Sequence, residues 1–333
     1  MADSHMTRGA APGTGPAPAT FSRAVMTSGD LVSRPLEAPA GSRITVRSET
    51  PLLPRAAFVL ITFASLAGVY FTGRMHGLTG FGLFWRWTAI WSPALVTGFL
   101  AWRLFYLRSA ESGLSQERVG ALHTALLDRV RVVGGYLALF SLVAASAPFV
   151  VPYLAGWHRF GLVSASLFAA AVMPFAWRSK LLAGLGLAAG AASMVLWSVA
   201  DSAGLPYLTL VRGAHLLAFS LWLGGALFNL GAAVPAGRKH ANLHAVVAGA
   251  RQLERFRWVV RTSLPTIVLT GLWMALRYAG VGSPFWREGI GLLIPLKLGL
   301  IAALVVIFIT CPLYRACSPV RGVCNVEDLG DAS

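Results

Sequence analysis

Residues 181–200 read LLAGLGLAAGAASMVLWSVA, a run without a single charge, bracketed by Lys180 and Asp201. A helix of about 20 apolar residues covers the ~30 Å of hydrocarbon in a bilayer. Within lipid the backbone must satisfy its own hydrogen bonds, so such a run is a helix. Small residues recur along it, with Gly186 and Gly190 four apart. Small residues at that spacing let helix backbones approach closely in lipid, which places this helix against others.

Working outward, seven further apolar segments occur at about 53–73, 84–107, 132–154, 160–177, 206–233, 258–279 and 289–313. The segments at 160–177 and 181–200 are parted only by Arg178-Ser179-Lys180, a polar turn between two full spans, which predicts a hairpin. The fold expected is therefore an all-α, polytopic integral membrane bundle of about eight transmembrane helices over residues 51–315. Composition agrees: 56% of residues are hydrophobic, 12% are charged, and mean hydropathy is +0.65. A soluble fold carries about 25% charged residues.

Residues 1–50 are rich in Ala, Pro, Gly, Ser and Thr and hold few large apolar residues. They predict a disordered cytoplasmic tail without the apolar core of a secretory signal. Residues 316–333 predict a second cytoplasmic tail. The net charge is +15, yet the arginines sit at span ends rather than in one patch, which points to membrane topology and away from nucleic acid.

With the N-terminus inside, the inner side after the tail holds 15 basic residues: Arg103, Arg108, Arg118, Arg129, Arg131, Arg178, Lys180, Arg238, Lys239, Arg251, Arg255, Arg257, Arg261, Arg315 and Arg321. The outer side holds 7: Arg74, Arg86, Arg159, Arg212, Arg277, Arg287 and Lys297. The excess predicts both termini in the cytoplasm of a plasma (inner) membrane. Two inner loops, Glu111–Arg131 and Ala241–Arg257, are expected to hold amphipathic helices at the membrane surface, and the second fits equally well as an extension of the next span.

No phosphate-binding loop and no nucleophile–base constellation occur, so no enzyme activity is expected. Cys311-Pro312 resembles the Cys-Pro element of metal-pumping ATPases, but no loop is long enough for the phosphorylated domain such pumps need. None of the 13 acidic residues lies deep in a span, and Asp201 at an outer end comes closest.

Candidate metal ligands collect on the outer side. Met75 and His76 lie in the first outer loop and His158 in the second; Met194, His215 and Met274 lie in the outer leaflet. Imidazole and thioether are donors that copper favours. Each has an ordinary alternative: a histidine at a membrane edge as an interfacial group, and a methionine as packing. His215 stands apart because it lies well inside a span, where an unpaired polar group is costly. On the inner side, Cys311, Cys317 and Cys324 are too sparse for a disulfide framework or a Cys-x-x-Cys site.

The run Arg212-Gly-Ala-His-Leu-Leu-Ala-Phe-Ser-Leu-Trp-Leu-Gly-Gly225 resembles the hallmark helix of the copper resistance protein D (CopD) family, in which His-Leu-Leu is followed by Trp-x-Gly-Gly. Arg255-Phe-Arg with Leu269-Thr-Gly271 resembles that family's next helix, and Lys297-Leu-Gly-Leu300 its last. The resemblance spans about residues 206–315. It implies a bacterial inner-membrane protein of copper uptake or handling, with His215, Trp222, Gly224, Gly225 and Lys297 at family positions and a periplasmic copper donor as partner. Two other readings stay open. One is a b-type haem electron-transfer subunit using His215 with His158 or His76. The other is a non-metal scaffold of a respiratory complex.

Overall fold

The computed structural model describes residues 52–111, 114, 116–154, 156–202, 205–240, 243–280 and 282–310. The readings of 1–50 and 316–333 as tails, and those of Cys311, Cys317 and Cys324, lie outside the described residues. Among the described residues ten α-helices follow in order: α1 Leu52–Met75, α2 Gly80–Ala101, α3 Gln116–Ala144, α4 Ala147–Val150, α5 Gly156–Val172, α6 Lys180–Asp201, α7 Pro206–Phe228, α8 Val234–Lys239, α9 Leu243–Leu276 and α10 Leu293–Thr310. No strand occurs among the described residues. The protein is an all-α, multi-pass membrane bundle.

Seven of the helical stretches are long and apolar enough to cross a membrane among the described residues. The remaining expected crossing is α2, which is 22 residues and so about 33 Å long. It carries Arg86, Thr88, Ser92, Thr97 and three tryptophans, and its position accommodates them. Every residue from Thr88 to Ala101 is buried, and α1, α3, α6 and α7 pack around it. A helix walled in by helices does not need a lipid-facing surface.

Between helices in lipid, no hydrophobic gain rewards contact, because the tails are as apolar as the side chains; close packing and hydrogen bonds must do the work. Around α2 the packing is glycine-mediated. A Cβ on Gly98 would fall 1.8 Å from the Ser220 carbonyl oxygen, and one on Gly224 would fall 2.2 Å from the carbonyl carbon of Gly98, so α2 and α7 touch backbone to backbone. Gly190 faces Thr97 and Pro93, and Gly186 faces Leu100, which seats the small-residue face of α6 on α2. Gly225 lies flat under Trp102, whose indole Nε1–H donates to the Leu221 carbonyl at 3.2 Å. Polar links add to this: Trp91 donates to Ser65 at 2.8 Å, and Ser92 and Ser141 share a hydrogen bond of 3.0 Å.

The hairpin at Arg178-Ser179-Lys180 forms as expected. Ser179 caps α6 by accepting from the amides of Leu181 and Leu182 at 3.2 and 3.4 Å. Both long inner loops are helical, but as extensions of spans: α3 starts at Gln116 and α9 runs unbroken for 34 residues. The second of the two alternatives for 241–257 is the one realised. At that end Arg255 grips both carboxylate oxygens of Glu111 at 2.6 Å and donates to the Tyr106 carbonyl at 3.0 Å, while Phe256 packs on Trp102.

Candidate functional site

A cavity of about 150 Å³ lies between α1, α2, α7, α9 and α10. Along α1 it is lined from Leu60 to Thr72, roughly 18 Å of helical rise. One end, beside Leu60 and Ile61 of α1 and Ile301 and Leu304 of α10, is apolar. Arg86, Asp201, Arg212, His215 and Lys297 gather toward the other end, and Met274 and Trp222 also line it.

His215 is held from α9. Its Nδ1 lies 2.9 Å from the Thr270 hydroxyl. That hydroxyl has one proton, and Thr270 donates it to the Thr266 carbonyl one turn back. With that proton committed, Thr270 accepts from His215, which puts the imidazole proton on Nδ1; the Ile267 backbone also hydrogen-bonds the ring. The next residue, Gly271, makes room for the ring: a Cβ there would lie 3.1 Å from Cε1 of His215. Thus the Thr-Gly pair near the C-terminal end of α9 both orients and accommodates the histidine. Met274 follows Thr270 by four residues, on the same helix face.

Lys297 is accommodated in the same manner from the other side. A Cβ on Gly68 of α1 would lie 2.9 Å from the lysine Nζ. Instead of snorkelling to the outer headgroups, the ammonium lies against the α1 backbone and borders the cavity. Among the described residues it has no carboxylate partner and no hydrogen-bond acceptor. A cation within a span costs about 2.5–3.5 kcal/mol even on the lenient insertion scales.

Above these groups is a buried ion network absent from the sequence reading. Arg86 makes a two-pronged pair with Asp201, Nη1 to Oδ1 at 3.0 Å and Nη2 to Oδ2 at 2.7 Å. Tyr153 donates to Asp201 Oδ1 at 3.0 Å, and Arg212 donates to the Asp201 backbone carbonyl at 2.6 Å, with its Nη1 3.7 Å from Oδ2. The Arg86 guanidinium also lies over the rings of Tyr153 and Trp197. Counting Arg86 and Arg212 as outer-side topology residues missed that both are buried, at 1% and 8% exposure. The available signal was two arginines and one aspartate set just inside neighbouring span ends, where unpaired charge would be untenable.

The six proposed ligands do not converge. His215 and Met274 line the same cavity. His76 turns to the ion network, its Nε2 3.9 Å from Asp201 Oδ1 and its ring stacked on Tyr153 at 4.6 Å. Burial pushes its pKa down; the Asp201 charge opposes that shift, and Arg86 and Arg212 add to it. Met75 beside it is exposed, and Met194 is wholly buried in the apolar core. His158 stacks on Trp157 at 3.8 Å, away from the cavity. No group of three or more His, Cys, Asp or Glu suited to a metal occurs among the described residues. Trp222 is buried along the cavity wall, while Gly224 and Gly225 serve the contacts with α2 described above.

The family model for copper resistance protein D (CopD) matches residues 250–321. The C-terminal region is thus CopD-like, across most of α9 and all of α10. The interval contains Thr270, Gly271, Met274 and Lys297, whereas His215 and α7 precede it. Comparison with curated proteins and with solved structures gave no match.

Proposed function

We propose that this protein handles copper: it accepts the ion near the outer face through His215 Nε2 and the Met274 thioether, and passes it across or into the membrane. The observation that carries this reading is an imidazole, held at Nδ1 by Thr270, that lines the same cavity as a thioether. One nitrogen and one soft sulfur suit low-coordinate Cu(I) better than a hard cation, which would require oxygen ligands. The CopD match over 250–321 supports the same cargo. Copper here is a substrate, so a two-donor site that releases its ion serves better than a closed four-ligand cage.

The excess of inner basic residues supports an orientation with both termini in the cytoplasm of an inner membrane. A periplasmic donor protein delivering to the His76 side would then precede the cavity. Transfer rather than catalysis is the role this arrangement supports. A bis-histidine haem finds a single imidazole lining this cavity, since neither His76 nor His158 borders it. The test is copper content of purified wild type beside His215→Ala and Met274→Leu, with an absorbance scan of each sample. Bound Cu(I) that falls at least tenfold in His215→Ala supports the reading. Equal copper in all three samples sinks it, and a Soret band would move the assignment to haem.

A further inference from the structure

The charges around the cavity do not suit a bare cation. Arg86, Arg212 and Lys297 border it with one carboxylate, Asp201. That carboxylate is already engaged by Arg86 through both oxygens and by the Tyr153 hydroxyl, with Arg212 beside it. The remaining titratable lining groups are His215 and Tyr278, neither of which supplies negative charge when neutral. Among the described residues, Lys297, inside the span and pressed against Gly68, faces no protein anion. Membrane cations of this kind pair with counter-charges or with a ligand, and among the described residues the cavity offers no carboxylate beyond the engaged Asp201.

We propose that the outer end of this cavity is an anion site built on Lys297, and that copper occupies it together with a halide rather than as a bare ion. Anion binding follows from the cavity's charge alone; the pairing with copper rests on the copper reading of His215 and Met274. A monovalent anion at Lys297 cancels the ammonium's repulsion of a metal at His215, a residue within its electrostatic reach. A halide also completes the coordination that two protein donors leave short, because chloride is a competent Cu(I) ligand. The exchange is balanced: Cu(I) keeps its oxidation state and one halide, and His215 Nε2 with Met274 replaces the remaining solution ligand, which leaves as an anion.

The test uses the purified full chain in detergent. Metal-free protein is titrated with sodium chloride while the chloride-35 NMR line width is followed, for wild type, Lys297→Met and Lys297→Arg. Saturable broadening in wild type and in Lys297→Arg, abolished in Lys297→Met, is the expected result. Equal broadening in wild type and Lys297→Met overturns the anion site, since it would report only the general positive charge of the surface. A second arm needs no variant: Cu(I) affinity of wild type in sodium chloride against sodium nitrate. At least tenfold tighter binding in chloride is expected, and equal affinity overturns the pairing. Should copper bind in neither salt, the copper reading and with it the pairing are overturned, while the line-width arm still decides the anion site.

Discussion

The two halves of this bundle are built on opposite principles. Around α2, α7 meets it backbone to backbone at Gly98 and Gly224, while Gly186, Gly190 and Gly225 receive the side chains of Leu100, Thr97 and Trp102, and a side chain at any of the five would collide. Between α1, α7, α9 and α10 the packing leaves a cavity, and two glycines there, Gly68 and Gly271, make room for a lysine and a histidine instead of for a neighbouring backbone. The same residue type closes space in one region and reserves it in the other. The closed half provides rigidity where lipid gives no hydrophobic gain for helix association. The other half can then house a histidine and a lysine at the cavity wall.

Substitutions that enlarge the α2 contacts should have the largest effect. Gly98→Val would drive a side chain into the Ser220 carbonyl, and neither backbone can retreat without separating α2 from α7. Overpacking commonly costs about 1–3 kcal/mol, and more where backbone must move. The expected outcome is loss of the monodisperse peak in detergent size-exclusion chromatography. A normally folded Gly98→Val protein would break the contrast drawn here.

Next comes the ion network that roofs the cavity. Asp201→Ala strands Arg86, and removal of one partner of a buried pair costs about 3–5 kcal/mol. The melting temperature in detergent should drop sharply, and a double change of Asp201→Ala with Arg86→Met should recover much of the loss. Failure of the double variant to recover would mean the network positions the helices instead of merely balancing charge.

Thr270→Val tests the open half without filling it. The shape is nearly unchanged, but the Nδ1 acceptor is lost, so the imidazole is free to flip or change tautomer. Groups that orient a metal-binding histidine are typically worth 10- to 100-fold in metal affinity. Copper affinity should fall by that factor with little change in melting temperature, and unchanged affinity would remove Thr270 from the site.

The smallest effect should come from His76. Burial lowers its pKa in the folded state. The unfolded chain therefore binds the proton more readily as pH falls below about 6.5, so stability from this group is full above that value and declines on acidification. Melting temperature should decrease modestly from pH 7.5 to 5.5, and His76→Gln should flatten that dependence. An unaltered slope would assign the acid sensitivity to another group.

How much of this was legible beforehand varies by residue. The uncharged run 181–200 and its Gly-x-x-x-Gly spacing marked a packed transmembrane helix, because hydrophobic length and residue size act locally. The His215, Thr270-Gly271 and Lys297 positions were also visible as short motifs. What linked them was not: Thr270 reaches His215 across 55 residues and Gly68 reaches Lys297 across 229. Met194 and Met274 were equivalent as sequence, both outer-leaflet methionines, yet one is sealed in the core and the other lines the cavity.

The amino-acid order alone determined that the chain crosses a membrane many times as helices, because the bilayer enforces one solution on any long apolar segment. It determined too which residue types could carry chemistry. Only the tertiary structure decided that α2 lies at the centre despite its arginine, that Asp201 is shared between Arg86 and Arg212, and that His215 and Lys297 border one cavity. Those outcomes depend on how helices rotate and approach one another, and that is set by contacts between residues far apart in the chain, where a missing side chain on one helix makes the space that a polar group on another occupies.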